Sequence, residues 1–281
     1  MSRAAERLDR EIDGVRRRLR ELEELRDEFA PTPETENPVP LDEFLREEAT
    51  SFDWLVGSEI ARGTTGLLVA DPKVGKTTLA VQLSLSLAAG RAFLGCNVYQ
   101  TRTLYVAAEG ARGAFQARVR TAARAIGVEA SAVAWHIQPP GFIDFQITGA
   151  TFRRLIDKSR AGFVVLDTYP FFAAQPYNVN DTAEWKAKVL SPLRVLTAET
   201  GATFLLIHHQ GKATEKTGWQ KVLGTMSQFG DCDFFWRLEG VEGIPSERAL
   251  FVDGNKYAEA SPMRVLDFDR RDATFRLVAG G

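Results

Sequence analysis

The 281-residue sequence has no apolar run of eighteen residues or more and no secretory leader, so a soluble, cytoplasmic protein without a membrane span is expected. Cysteine is scarce. Cys96 and Cys232 lie far apart without metal-ligand spacing and read as buried thiols in a reducing compartment. A dominant charge is missing too, since 35 Lys and Arg stand against 37 Asp and Glu for a formal net charge of -2. With no global basic field, any contact with nucleic acid has to be local. Core-forming residues are plentiful, because 44% of the chain is hydrophobic, enough for one large domain with appendages or two small ones.

The first thirty residues differ from the rest. Leu8, Ile12, Val15, Leu19, Leu22 and Phe29 recur at spacings of three and four among Arg and Glu, with Arg26 interrupting the seam. This predicts an amphipathic helix over residues 1–30, either folded back on its own domain, or forming a coiled coil, or docking on a neighbouring subunit or partner. Residues 31–40 hold four prolines and read as an extended linker. A short helix over Leu41–Ala49 then leads into the remaining chain, so that residues 41–281 form the main domain.

That domain is organised around residues 67–90, which run from an apolar strand through a tight loop into a helix-forming segment. Ala70, Gly75, Lys76 and Thr77 occupy the fixed positions of the phosphate-binding pattern [AG]-x-x-x-x-G-K-[ST], with alanine where glycine is usual. The physical reasons are local. Gly75 lets successive N–H groups of Asp71, Pro72, Lys73, Val74 and Gly75 turn into one concavity, proline excepted, with the positive end of the helix behind them. Lys76 then reaches the β- and γ-phosphates of a bound oligophosphate, Thr77 ligates the Mg²⁺ that bridges them, and Thr78 is placed to cap the α-phosphate.

Downstream, short β-rich runs alternate with helical stretches, which predicts a mostly parallel sheet with helices on both faces. Ligands in such sheets bind beyond the carboxyl ends of the strands. Phe163–Leu166 is an apolar run closed by Asp167, the pattern of a strand-end carboxylate holding the Mg²⁺ shell. Thr103–Ala107 is followed by Glu109, which can orient an attacking water or simply cap the next helix. Thr203–Ile207 ends in His208 and His209, one of which can hydrogen-bond the γ-phosphate. The tail from Phe234 to Val278 reads as short strands with turns at Gly240, Gly243 and Gly254, so antiparallel strands should finish the sheet.

Between them lies a long loop, Gln210–Gly224. It carries Lys212, Lys216 and Lys221 around Trp219, cations for phosphates and an aromatic for a base, which is the composition of a single-stranded DNA contact.

Taken in order, ADPKVGKTT, LYVAAEG, VVLDT and LLIHHQGK resemble the RecA-like ATPases that include the plasmid RepA-type replicative helicases, with DnaB-type helicases as more distant relatives. The resemblance spans roughly residues 52 to 278. It implies an α/β, RecA-like P-loop NTPase core, a ring often of six subunits, and action on single-stranded DNA in replication or recombination. By matching positions it makes Glu109 the catalytic carboxylate, Asp167 the strand-end acid and His208 or His209 the sensor. Two features depart from it. Residues 223–233 lack the arginines common in the family, and Gly254-Asn255-Lys256 stands where Lys-x-Arg is usual. Lys256 would then be the cation offered to a neighbour's nucleotide. An ATP-switched scaffold without helicase activity is the alternative those losses favour, and a small-molecule kinase is disfavoured by the acid and histidine pair.

Overall fold

The computed structural model describes residues 38–46, 53–108, 110–129, 135–138, 146–209, 227–259 and 261–278. The chain divides into two units, 1–51 and 52–281. In the first, Pro40 with φ -58 precedes a single turn of helix, α1 (Leu41–Phe44), whose Asp42 pairs with Arg46 at 2.7 Å. Both partners are well exposed, so that ion pair adds little.

The second unit opens with a small antiparallel pair, β1 (Trp54–Val56) and β2 (Ile60–Ala61). Its main sheet begins at β3 (Thr65–Ala70), all six residues of which are buried. Next come α2 (Lys76–Ala89), β4 (Thr103–Ala107), α3 (Arg112–Ala125), β5 (Trp135–Gln138), α4 (Ala150–Ser159) and β6 (Phe163–Asp167). A helical region follows as α5 (Thr182–Trp185), a π-helical turn over Lys186–Leu190, and α6 (Ser191–Thr200), with Pro192 in the first turn of its last part. The chain then forms β7 (Thr203–His209), α7 (Ser227–Asp231), β8 (Phe234–Val241), β9 (Ile244–Asn255), β10 (Arg264–Asp269) and β11 (Thr274–Leu277).

These strands make one nine-stranded sheet in the order β11-β10-β9-β8-β3-β7-β6-β4-β5. From β5 to β8 all neighbours are parallel, whereas β8, β9, β10 and β11 pair antiparallel. The expected α/β sheet with antiparallel closing strands is what the chain builds. Alternation of side chains gives it two cores. One packs α2 and α3 against Leu68, Tyr105, Val165, Leu205 and Trp236; the other packs Phe152, Trp185 and Leu193 against Leu67, Val164 and Phe204. Helix α2 has no exposed polar face because it is buried nearly all round, its polar Gln82, Ser84 and Ser86 included, and it stops at Gly90, which takes φ 65.

Two of the three expected turns in the tail are not turns. Only Gly243, with φ 78, lies in the β8–β9 hairpin turn. Gly240 and Gly254 sit inside β8 and β9 at the two places where their register shifts, as glycines in strand interiors often do.

Candidate nucleotide site

The loop between β3 and α2 projects from the carboxyl end of the central strand, so it lies beside the ends of β7 on one side and β8 on the other. Gly75 takes φ 121, and a Cβ placed there would come within 2.7 Å of the Phe275 ring. Glycine is thus required twice, by backbone angle and by space. Lys73, also in the left-handed region with φ 66, completes the turn. Behind the loop Phe275 stacks on Phe268 at 4.6 Å, and Gln82 of α2 both donates to and accepts from the Phe275 backbone at 2.9 and 2.7 Å. The β10–β11 hairpin is therefore fastened onto the phosphate loop.

The Lys76 ammonium donates to the carbonyls of Ala70 and Asp71 at 3.0 and 3.1 Å and lies 3.2 Å from His209 Nδ1. An ammonium has no lone pair to offer, so Nδ1 is the acceptor there and the His209 ring proton sits on Nε2. On the other side Thr77 Oγ1 donates to Asp167 Oδ2 at 2.7 Å, and Tyr105 OH donates to the same oxygen at 2.7 Å. Burial first, and then the Asp167 charge, push the Tyr105 phenol well above its ordinary pKa, opposed in part by Arg118. Tyr105 consequently stays a donor at neutral pH.

These groups border one cavity of about 650 Å³, whose walls include Lys73, Gly75, Lys76, Thr77, Thr78, Asp167 and His209. Its walls also include Phe115 and Arg118 of α3, Phe268 of β10, and Arg270 and Arg271 of the β10–β11 turn. Its size and many cations suit a nucleoside polyphosphate. A hard oxygen pair from Thr77 and Asp167 suits Mg²⁺.

The expected site residues thus fall into three groups. Asp167, Lys76, Thr77, Thr78 and His209 converge, with the backbone of Asp71 to Gly75 around them. His208 does not join: it is buried against the Tyr169 ring at 4.8 Å, because successive strand residues face opposite sides. Lys256 also stands apart, pairing with Asp233 at 3.1 Å near the beginning of β3 rather than its end. Glu109, the loop residues Lys212, Lys216, Trp219 and Lys221, and the helix over 1–30 lie outside the described residues, although Ala107 and Gly110 on either side of Glu109 border the cavity. Of the thiols, Cys232 is buried while Cys96 is partly exposed beside Arg264.

Several residues of this site escape the motif reading. Tyr105 could have been found as a hydroxyl in a wholly buried strand, which needs a partner. Arg118 could have been found three residues after Phe115, on the buried stripe of α3. Nothing local marks Phe268, Phe275 or Arg271.

With this geometry, comparison with known proteins is specific about family. The chain belongs to the AAA domain family, whose model matches residues 30–215, more than half of its length. The strands β8 to β11 lie beyond that match. Among solved structures, the RadB recombinase is similar over 77% of this chain and 91% of its own, with a TM-score of 0.51 and 16% identity. The ATPase domain of G40P is similar over 77% of this chain and 86% of its own, with a TM-score of 0.57 and 13% identity. Both likenesses are of fold, and the fold is that of a RecA-like P-loop ATPase. No curated protein sequence matches. Among the described residues no helix is long and apolar enough to cross a membrane.

Proposed function

We propose that this chain hydrolyses ATP with Mg²⁺ and couples turnover to single-stranded DNA in replication or recombination, as a helicase, translocase or loader of the RepA-like kind. One observation carries the reading: the Lys76 ammonium and the Thr77–Asp167 pair meet on one cavity at the head of α2. Lys76 is held inward by two carbonyls and His209, so its charge is already aimed where the β- and γ-phosphates belong. The base would lie toward Arg118 and the β10–β11 turn. Mg²⁺ held by Thr77 and Asp167 would neutralise charge developing on the phosphoryl oxygens. Glu109, two positions in sequence after the last residue of β4, would accept a proton from the attacking water. His209 touches Lys76 and ends β7, from which the lysine-bearing loop departs, so loss of the γ-phosphate would be felt at the start of that loop.

Lys212, Lys216, Trp219 and Lys221 would contact the strand. Support comes from the neighbouring strand end, where Phe171, 60% exposed just after β6, offers a further stacking surface. Assembly as a homo-oligomeric ring would bring Lys256 to a neighbour's nucleotide, and the helix over 1–30 would dock on a subunit or a replication partner.

The test is the steady-state ATPase rate with and without single-stranded DNA. Turnover stimulated by DNA and abolished by Lys76→Ala is expected; turnover retained in that variant would overturn the reading. A second reading, an ATP-switched scaffold, is favoured by the engagement of Lys256 with its own Asp233. Tight ATP binding with a flat, near-zero rate would select it.

A further inference from the structure

Arg237, Arg248 and Arg264 brace the antiparallel half of the sheet, and one is different. Arg237 is paired with Asp253 and Glu239 at 2.6 and 2.7 Å, and Arg264 with Glu59 at 2.6 Å. Arg248, only 5% exposed, has no carboxylate at ion-pair distance among the described residues. Its Nε donates to the carbonyl of Val74 at 2.9 Å, and its Nη1 to those of Pro245 and Glu247 at 2.9 and 2.6 Å. The guanidinium lies 5.0 Å from the centre of the Phe268 ring, the same ring that backs the phosphate loop. Burial and then the like charge of Arg270 lower its affinity for its proton. A guanidinium nevertheless stays charged in proteins, so a whole positive charge is held behind the loop without an acid to balance it.

The bond to Val74 has a geometric consequence. A peptide unit is planar and trans, so its C=O and N–H point in opposite directions. Holding the Val74 carbonyl back toward β9 turns the Gly75 N–H the other way, and Gly75 borders the cavity. Carbonyl oxygens that faced the cavity would repel phosphate.

We propose that Arg248 is a positioning residue of the nucleotide site, fixing the Val74–Gly75 peptide for phosphate and supplying, from behind the loop, a positive charge that the bound polyphosphate balances. This rests on the nucleotide reading above and assigns a function to a residue beyond the part of the chain that the family match covers. Arg248 serves β9 twice: its backbone pairs with Gly240 of β8 and Leu266 of β10, while its side chain joins that sheet to the loop.

The experiment is titration of the full chain with Mg-ATP, Mg-ADP and AMP in the wild type, Arg248→Met, Arg248→Gln and Arg248→Lys. For Arg248→Met, the dissociation constant of Mg-ATP should rise about tenfold or more, the loss expected for one charge-assisted hydrogen bond. Because charge is at stake, the loss should shrink from ATP to ADP to AMP, with AMP changed by less than about threefold. At saturation kcat should stay within about threefold, as for an interaction made equally before and in the transition state. Arg248→Lys should recover the preference for ATP over AMP. Should the methionine variant not fold, Arg248→Gln keeps a donor for Val74 without the charge and is read the same way. Unchanged Mg-ATP affinity, equal losses for ATP and AMP, or no recovery by lysine would each overturn the inference. A wild type that binds no nucleotide would instead overturn the functional reading, and this inference with it.

Discussion

At Asp167 a single carboxylate oxygen takes two hydroxyl donors, Thr77 from the head of α2 and Tyr105 from β4, both at 2.7 Å. The two do different work. In the proposed function Thr77 would also ligate Mg²⁺, and Tyr105 would then be the hydroxyl left to hold the carboxylate in place. Tyr105 is fully buried, so its removal leaves no water to take over. Tyr105→Phe should therefore lower the free energy of unfolding by about 1.5–3 kcal/mol, the range for a hydrogen bond to a charged group, measured by urea denaturation. It should also raise the Mg²⁺ requirement of turnover, seen as a higher Mg²⁺ concentration for half-maximal rate. An unchanged Mg²⁺ requirement would mean that Tyr105 is a packing residue only.

Elements show which parts of such a site can be read locally. Strand, loop and helix at residues 65–89 carry their own signals, as do the apolar runs of β4, β6 and β7, so the P-loop and Asp167 were legible from short spacings. The sorting of His208 from His209 follows from strand alternation once the end of β7 is known. The back of the site was not legible: Arg248 meets Val74 across 174 positions, and Phe275 meets Gln82 across 193, contacts set by the register of β8 to β11. The same register turned Gly240 and Gly254 from expected turns into strand irregularities. Strand β3, central to this arrangement, has one intolerant position. A Cβ on Gly66 would fall 2.3 Å from the ring of Phe234, itself 2% exposed on the adjoining β8. Gly66→Ala should cost about 1–3 kcal/mol or more through overpacking. Adding Phe234→Leu should return part of that loss, a coupling that a double-mutant cycle measures. Additive losses would show that the backbone, not the ring, sets the requirement.

For the whole molecule the decisive feature is the distance between the two ends of β3. Lys256 bonds to Asp233, which in turn bonds to Thr65 at the start of that strand, while the phosphate loop leaves after Ala70. The five residue steps from Thr65 to Ala70 separate these levels by about 17 Å. Lys256 thus cannot serve the nucleotide of its own chain and could act only on that of another copy. That division makes complementation possible. Lys76→Ala removes a subunit's own ATP site and leaves its Lys256 intact, whereas Lys256→Ala does the reverse. If Lys256 acts across a subunit boundary, each variant alone should turn over slowly, and their mixture should exceed the sum of the two. The gain should peak near equal proportions and vanish on dilution below the concentration at which the chains associate. A mixture that stays at the sum, although size measurements show that the variants associate, would remove Lys256 from the reaction and leave its bond to Asp233 as a brace for β8 and β9.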